Sequence, residues 1–446
     1  MAGGTWQTQN KVLPGVYINL TTVPRPLGVA AERGYGTFAE ALSWGPVGEM
    51  ITIENGDNTF NILGYSILDP QMLHVREFFK GSNRTSAPRT LYLWRLANNG
   101  TVASAEIGAM IVTALYPGVR GNDINITVSN DVDDPTKFVV TTIVDGSRQD
   151  EQTVATIGQL VANNWVTFSG MASSIPTANA GTALLGGTNG TVANTAHVDY
   201  IAAAETMRFN AIAYLGTDPL IKGMYQSFTQ RLRNENGRYF SCYMADYPSA
   251  DTECVVSILN GVQLLDGTTL ANTDCVAWFA GASAGANNNQ SLTYCRYPGA
   301  ATAVPALSNT ELKNALADGQ IAFFEEFREV KVCDDINTLT SFTPFHGKAF
   351  SRNRVMRVLD SIANDMYMIY SRFYIGAVDN NEDGRGLLKA EIVKYLSDLQ
   401  GNSAIQNFTS EDVLVEPGDA IEAVKITVCI HPVEAIAKIY MTVVID

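Results

Sequence analysis

The sequence predicts a multi-domain α/β protein: an α/β domain with an inserted β-rich domain, an α+β C-terminal domain and strand-forming terminal arms. Strand-like and helix-like segments alternate in residues 191–345, whereas β-branched segments and Gly, Asn and Asp turns dominate residues 99–190. Both ends carry alternating apolar residues next to proline. A chain of 446 residues also exceeds the size of one hydrophobic core, so we expect roughly three domains.

The N-terminal arm, residues 1–27, contains a short predicted strand. Alternating apolar residues share one face of it: Val16, Ile18 and Leu20. Two prolines then interrupt any ladder: Pro24 and Pro26. Such an arm pairs either within its own subunit or with a neighbouring chain, where main-chain hydrogen bonds link the subunits and alternate side chains fill pockets. The pattern alone leaves both arrangements open.

The α/β domain is predicted to be discontinuous, from residues 28–98 and 191–345. Its second part begins with a strand at 211–215 and a helix capped by Asp218, with Pro219 in its first turn and Gly237 after its end. We expect further strands at 239–243 and 275–279 around a second helix at 254–259, in a parallel, right-handed layer.

Two shorter signals complete the α/β domain. Strand-like pieces such as 50–53 and 91–94 alternate with Gly/Pro turns in its first part. Near its end, Ser308 and Glu311 resemble a capping box that opens a short helix, which Gly319 closes.

Residues 99–190 are predicted to form the inserted β-rich domain. Alternating aliphatic residues from Ile124 to Val128 and the β-branched segment 138–144 indicate strands. Flexible boundaries, among them Gly186-Gly187, indicate a dispensable lobe that lies outward on two flexible crossings.

The last hundred residues combine helices with a strand. Apolar residues at helical spacing indicate a long helix from 355 to 373 and a second from 388 to 399, and 424–430 is a predicted strand, so residues 346–432 form an α+β domain. Pro432 precedes the C-terminal arm, residues 433–446. The apolar positions of that arm alternate as in a strand: Ile439, Met441, Val443 and Ile445.

Composition excludes several classes of protein. With 30 basic and 45 acidic residues, a net charge of -15 argues against direct nucleic-acid binding. No apolar run approaches the ~20 residues that cross a membrane, and the N-terminus does not resemble a signal peptide, so we expect a cytoplasmic protein whose six scattered cysteines are reduced core residues. Only 17% charged residues beside 46% hydrophobic ones favour a surface largely covered by other copies of the chain.

One loop resembles the opening of a calcium-binding EF-hand. Oxygen-bearing residues occupy positions one, three and five, namely Asp379, Asn381 and Asp383, with Gly384 at position six. The match fails at position twelve, where Ala390 replaces the bidentate glutamate. An Asx-rich turn between two helices explains the residues better, so we predict no metal site.

No catalytic or cofactor-binding residue is predicted. The four histidines are scattered without ligand spacing, and no serine lies in a recognisable nucleophile motif. The segment 281–285 is rich in Gly and Ala, as a phosphate-binding loop would be, but no Lys-Ser/Thr follows it. Close backbone packing or a subunit contact explains its small residues equally well.

Several segments, in this order, resemble the contractile phage tail sheath proteins, particularly those of Gram-positive phages and defective prophage particles. The segments that carry the resemblance are Met1–Trp6, Lys11–Ile18, Gly28–Ala30, Trp44–Pro46, Tyr116–Asn122, Trp278–Gly285 and Lys348–Asp446. Each motif is weak alone, but together they cover essentially the whole chain.

The resemblance implies a fold and a mechanical function. The α/β domain would be subtilisin-like in fold only, the insertion a β-sandwich, and the protein a helical homo-polymer around a tail tube protein. Baseplate and tail terminator proteins would be further partners, with no direct nucleic acid and no membrane contact. Subunits would assemble in the bacterial host cytoplasm into the tail of a virion or phage-like particle. They would then repack into a shorter, wider lattice without a nucleotide or another cofactor.

In that scheme both arms add strands to neighbouring C-terminal domains, the prolines Pro24, Pro26 and Pro432 act as hinges, and the C-terminal domain faces the tube. Two other functions stay open at this point. An α/β hydrolase requires a clefted nucleophile with a general base. A calcium-dependent surface-layer or adhesin subunit requires secretion and metal-dependent assembly.

Overall fold

The computed structural model describes residues 33–96 and 99–444, together with the backbone of residues 2–4 and 15–17. Contacts divide the chain into two compact units. The larger unit comprises Ala31–Asn364 and Pro432–Asp446, and the smaller one Met1–Ala30 and Asp365–His431. Multi-domain mixed α/β architecture is therefore confirmed.

The chain begins with a parallel pair of short strands and then enters the α/β domain. The first elements are β1 (Ala2–Gly4), β2 (Gly15–Tyr17), β3 (Tyr35–Glu40), β4 (Met50–Glu54), α1 (Thr59–Leu63), α2 (Leu73–Phe79) and β5 (Thr90–Arg95).

The insertion folds as a β-sandwich of two antiparallel sheets. Its strands are β6 (Ser104–Ile107), β7 (Met110–Ala114), β8 (Ile124–Asn130), β9 (Phe138–Val144), β10 (Ser147–Val154), β11 (Val166–Gly170) and β12 (Asn179–Ala183). The sheets have the orders β10-β9-β8-β12 and β11-β7-β6. The aliphatic residues of β8 are buried and alternate with half-buried polar residues, and Asp145-Gly146 supplies the two positive φ angles of the tight β9–β10 turn.

The second part of the α/β domain completes its sheet. Its elements are α3 (Asn194–Ala204), β13 (Ala211–Tyr214), α4 (Pro219–Asn236), β14 (Ser241–Ala245), β15 (Val255–Ile258), β16 (Gly261–Leu264), β17 (Thr269–Leu270), α5 (Asn272–Ala284), β18 (Ala300–Val304), α6 (Asn309–Ala317), β19 (Gln320–Ile321), β20 (Phe323–Glu326) and β21 (Glu329–Val332).

A seven-stranded sheet forms the centre of this domain, in the order β19-β15-β14-β13-β3-β5-β4. The strands are parallel except the edge strand β4, which is antiparallel to β5. Neighbouring residues of β3 belong to different apolar clusters: Phe38 packs with α2 and α5, whereas Ala39 packs with α3 and α4. Helices therefore cover both faces, as parallel strands buried on both sides require.

Local sequence signals place several helix ends correctly. The side chain of Asp218 accepts a hydrogen bond from the backbone N–H of Leu220 at 2.8 Å, and Gly237 ends α4 in the left-handed region. Ser308 and Glu311 form the expected capping box of α6.

One prediction within the sheet is wrong. Residues 254–259 were expected to be a helix and 275–279 a strand, but β15 spans Val255–Ile258 and α5 spans Asn272–Ala284. Every residue from Cys275 to Ala284 is buried, so α5 has no polar face along that stretch and its helical period is invisible. A strand buried on both faces has an equally continuous apolar pattern.

The C-terminal part contains the remaining elements: α7 (Asn353–Phe373), α8 (Glu382–Gly401), β22 (Ile405–Gln406), β23 (Val413–Pro417), β24 (Val424–Val428) and β25 (His431–Pro432). Both predicted helices and the predicted strand are present. Within the smaller unit, the hydroxyl of Tyr395 on α8 donates to Asp365 on α7 at 2.6 Å.

The insertion shares a buried aromatic core with the α/β domain. Trp44, which is only 1% exposed, lies with its ring centroid 5.2 Å from that of Trp165 and 5.3 Å from that of Tyr116. Gly118 allows the chain to pass closely, since a Cβ there would lie 2.0 Å from the carbonyl oxygen of Ser43. The expected loose joint is therefore replaced by a packed one.

Buried arginines stabilise the same junction. Arg95 donates to the carbonyl oxygens of Leu42 at 2.9 Å and of Gly45 and Pro117 at 2.6 Å each. Burial lowers the pKa of Arg95 to about 10, because no carboxylate compensates its desolvation. The guanidinium of Arg120 donates to Asp145 and lies 4.5 Å from the Tyr65 ring centroid.

Candidate subunit-interaction site

The described part of the C-terminal arm exposes its apolar residues. Residues 433–444 contain no strand or helix. Ile439 is 82% exposed, Met441 80% and Val443 71%, and the intervening Tyr440 is exposed as well. Apolar surface of this extent, exposed within the described residues, marks a site that another molecule can cover.

The base of the arm belongs to the larger unit, where it lies near buried charges at the start of α7. Partial burial raises the pKa of Glu434, and the guanidinium groups of Arg352 and Arg354 oppose that shift. Asp335, in the same cluster, accepts a hydrogen bond from the Asn353 side chain at 2.9 Å and is bonded to Arg357. The base of the arm therefore lies beside charged groups, while the arm beyond it exposes apolar side chains.

Strands β23 and β24 form a two-stranded antiparallel sheet in the smaller unit. Val413 is buried and β23 packs on α8, whereas Leu414 and Val428 are exposed. Within the described residues, each strand of this pair has one edge without a strand partner, and the N–H and C=O groups of that edge can pair with another strand. This geometry can accept a strand from a neighbouring chain.

The N-terminal arm is only partly described. Val16 lies in β2, which pairs with β1 in parallel, with Val16 opposite Gly3. The other predicted arm residues lie outside the described residues: Ile18, Leu20, Pro24, Pro26 and Ile445. Pro432 lies in the short strand β25. The roles of all these residues in subunit contact remain predictions.

The calcium-like loop acts as a helix cap. Asn381 precedes α8, and its side chain accepts a hydrogen bond from the backbone N–H of Gly384 at 2.8 Å. Asp383 therefore lies already in the first helical turn, and Asp379 lies before it. A Cβ at Gly384 would meet the carbonyl oxygen of Asp379 at 2.0 Å, which explains the glycine without a metal.

The segment 281–285 does not follow a strand but ends α5. A Cβ on Gly281 would lie 2.0 Å from the carbonyl oxygen of Phe78, so the small residue permits α2 and α5 to pack closely. Close backbone packing, one of the two explanations drawn from sequence, therefore accounts for this glycine.

Among the described residues, the remaining histidines lie apart from one another. His74 bridges Glu40 at 2.6 Å and Asp274 at 3.0 Å, whereas His346 and His431 are exposed. Burial alone would lower the pKa of His74, but hydrogen bonds to both carboxylates raise it to about 10. Among the described residues, no group of three or more His, Cys, Asp or Glu side chains could hold a metal ion.

All six cysteines are free thiols. Four are buried as expected, Cys333 is half-buried and Cys429, just after β24, is exposed. No helix in the described ranges is long and apolar enough to cross a membrane.

Sequence reasoning missed the buried arginines of the insertion junction and the charges around Asp335. A basic residue inside an apolar segment, such as Arg95 after Leu91–Trp94, is a usable signal because an arginine there must find acceptors. The acceptors themselves are backbone carbonyls that only the fold brings together.

Family models for tail sheath proteins match most of the chain. They are described as the phage tail sheath protein central domain (190–338), the phage tail sheath C-terminal domain (346–446), the phage tail sheath protein beta-sandwich domain (98–189) and the tail sheath protein Gp18 domain III N-terminal region (33–89).

Individual proteins resemble the chain over nearly its whole length. The phage-like element PBSX protein XkdK of Bacillus subtilis is 34% identical, with both chains fully covered. The crystal structure of a sheath tail protein from Desulfitobacterium hafniense is 44% identical, with a TM-score of 0.86 over 96% of this chain and 99% of the other. A sheath tail protein from Listeria innocua is 32% identical, with a TM-score of 0.80 over 92% and 94%.

Proposed function

The chain belongs to the phage tail sheath protein family and is a structural subunit of the sheath of a contractile phage tail or related injection system; from this premise we propose how its subunits join. Copies polymerise as a helix around a tail tube protein, linked by strands that the arms donate to neighbouring C-terminal domains. The observation that carries this proposal is the exposed apolar arm, residues 436–444, which has no strand partner within the described chain.

The free edges of the β23–β24 pair are the acceptor in this proposal. An arm strand of one copy pairs with such an edge in another, so that main-chain hydrogen bonds supply the link and alternate side chains supply the specificity. Burial of a large apolar side chain contributes roughly 1.5 to 3 kcal/mol before ordering costs, so three or four of them suffice to link neighbours. Repetition along the helix multiplies this contribution.

The proposed mechanism is mechanical and needs no cofactor. Subunits assemble in an extended lattice and repack, after a signal from the baseplate, into a shorter and wider lattice of lower free energy. The arms keep neighbours joined, with Pro24, Pro26 and Pro432 as hinges, while the domains move as rigid bodies. The protein would then be non-enzymatic, and it would reside in the tail of a phage or phage-like particle after assembly in the host cytoplasm, with a tail terminator at the far end.

The proposed domain roles follow the predicted division of the chain. Residues 28–98 and 191–345 form a domain that we infer to be subtilisin-like in fold, and residues 346–432 face the tube. Residues 99–190 lie on the outside of the sheath. A small protein inserted in the exposed turn at Val132 should therefore leave cylinders intact, and loss of cylinders from such a folded fusion would place the insertion inside the lattice.

Removal of residues 436–446 tests the donated strand and keeps Glu434 at the base of the arm. We expect a folded, soluble monomer with an unchanged melting temperature and no cylinders in electron micrographs. The conservative variant Val443→Ile is the matched control and should form normal cylinders. If the truncated protein unfolds, the arm belongs to its own subunit's core; if it forms normal cylinders, the arm is not needed for the lattice.

A further inference from the structure

The β20–β21 hairpin has an unusual turn. Its two strands pair from Phe323–Val332 to Glu326–Glu329, which leaves only Phe327 and Arg328 to form the turn. Both have positive φ angles, 54° and 63°. Turns of this type favour Asn-Gly, because bulky side chains are strained at positive φ. The presence of two large residues in a strained turn points to a role outside the hairpin itself.

The turn presents an aromatic and cationic surface. Phe327 is 88% exposed, and its only described cation neighbour, the ammonium of Lys331, lies 5.6 Å from its ring centroid. The same ammonium lies 5.9 Å from the ring of Tyr294, which packs on Phe324 at 5.2 Å. Tyr294 also has a positive φ of 57°, so a third strained residue belongs to this surface.

A cleft of about 400 Å³ lies beside the turn. Its charged lining residues are Lys80, Arg296, Arg328 and Glu329, three cations against one carboxylate. Lys80 is held by the buried Glu77 at 2.5 Å and Arg296 by Glu329 at 2.6 Å. Arg328 is exposed and forms no hydrogen bond or ion pair within the described part of the chain. Lys80 and Arg296 are thus already paired with carboxylates, and within the described residues the cleft offers one free guanidinium, that of Arg328.

The floor of the cleft is rigid. The Tyr297 ring stacks on that of buried Trp278 at 4.1 Å, and its hydroxyl donates to Glu77 at 2.7 Å. The cleft thus exists before any partner binds, which reduces the entropic cost of docking.

We propose that the Phe327–Arg328 turn and the adjacent cleft dock an acidic surface segment of a second copy of this chain. The chain carries a net charge of -15, so acidic residues outnumber basic ones on a neighbouring copy and can pair with the Arg328 guanidinium. A contact between two different surfaces of identical chains is what an open helical polymer requires. Exposed Phe327 supplies the apolar anchor and Arg328 the charge. This inference rests on the proposed polymerisation but is independent of the arms.

The test replaces Phe327-Arg328 by Asn-Gly, through Phe327→Asn and Arg328→Gly. Relief of strain should raise the melting temperature of the monomer, while loss of the anchor should raise the critical concentration for polymerisation at least tenfold. A strained turn without a docking role would show only the first effect. The matched control is Val132→Asn, an exposed apolar residue of the insertion, which should change neither quantity.

Unchanged polymerisation of the double variant would overturn the docking proposal, and so would a lowered melting temperature, since the two residues would then serve the hairpin itself. A photocrosslinking residue at position 327 gives a readout that needs no cylinders. Crosslinks to an Asp- or Glu-rich peptide of a second copy would support docking even if the wild-type protein forms no cylinders. The lack of wild-type cylinders would contradict only the proposed helical polymer. The lack of such crosslinks at high protein concentration would contradict the docking proposal and leave the proposed polymer unaffected.

Discussion

Two apolar regions of the larger unit differ in exposure: the side chains of one are buried within the subunit, and those of the other are exposed on its surface. At the insertion junction, Trp44 is enclosed by Tyr116 and Trp165, and the polar groups around it are bonded to Arg95. In the C-terminal arm, equally apolar residues from Ile436 to Val444 remain exposed. The junction therefore stabilises the subunit, whereas the exposed apolar surface of the arm would be buried only in the proposed assembly.

Because of this difference, substitutions in the two regions should distinguish effects on folding from effects on polymerisation. Substitutions at the junction should act on the free energy of unfolding of each subunit, and substitutions in the arm on association between subunits. A junction variant that folds normally, or an arm variant that unfolds, would break the distinction.

Excision of residues 99–190, with a short Gly/Ser linker in their place, should have the largest effect. The sequence alone suggests a dispensable lobe, but the structure shows that excision would expose Trp44 and leave Arg95 without one of its three acceptors. We expect a loss of more than about 5 kcal/mol, the combined cost of several truncated aromatic contacts, or aggregation. Thermal melting by circular dichroism measures this, and a melting temperature equal to that of the wild type would show that the junction is not a shared core.

Trp44→Ala tests the junction without a change in topology. The indole is almost completely buried, so its removal should cost about 3–5 kcal/mol of unfolding free energy. Chemical denaturation supplies the measurement. Leu68→Ala, at an exposed site of the same domain, should stay within about 0.5 kcal/mol of the wild type. Equal effects of the two substitutions would contradict the packed junction.

Arg95→Met keeps the size of the side chain but removes the donors for three carbonyl groups. Unpaired buried acceptors cost roughly 1–3 kcal/mol each, partly offset because a desolvated charge is also removed, so we expect a net loss of about 3 kcal/mol. Arg84→Met, whose guanidinium donates to one carbonyl at a half-buried site, is the control and should cost less than about 1 kcal/mol. A stable Arg95→Met variant would show that the carbonyls find water instead.

The His74 bridge predicts a pH dependence of the subunit itself. Its folded-state pKa, about 10, lies above the ordinary value of 6.5, so its contribution is complete below about pH 6.5 and is lost as pH rises through about 10. Hydrogen bonds to charged groups contribute roughly 2 kcal/mol, and unfolding free energies at pH 6 and pH 10 should differ by about that amount. In the His74→Gln variant, the difference in unfolding free energy between pH 6 and pH 10 should be smaller. An unchanged difference would show that other groups cause the pH dependence.

The sequence predicts the fold best where signals are local. Asp218, Pro219 and Gly237 act through hydrogen bonds and φ preferences near their own positions, so the bounds of α4 could be read directly. The failure at α5 has the opposite cause: helices and strands buried on all sides have the same continuous apolar pattern, and only the packing of α5 between the sheet and α2 distinguishes them.

The proposed interaction site was predictable from the sequence only in part. Alternating apolar residues up to Val443 predict a strand-forming arm, because an exposed pattern of this kind is unfavourable unless another surface covers it. The strained Phe327-Arg328 turn could not be recognised from the sequence, because the identities of two adjacent residues do not reveal their φ angles. The register of the β20–β21 hairpin, which assigns both residues to the turn, is a property of the folded chain.

Val443→Asp should have the smallest effect on folding and therefore tests the comparison most directly. The side chain is 71% exposed in the subunit, so we expect a change in unfolding free energy below about 0.5 kcal/mol. In the lattice the same position would be buried in an apolar pocket, where an unpaired carboxylate is strongly unfavourable, so the critical concentration for polymerisation should rise at least tenfold. Sedimentation measures assembly and thermal melting measures folding, with Val443→Ile as the control for both. A variant that melts early would show that the arm contributes to the subunit core, and one that polymerises normally would show that Val443 meets solvent in the sheath.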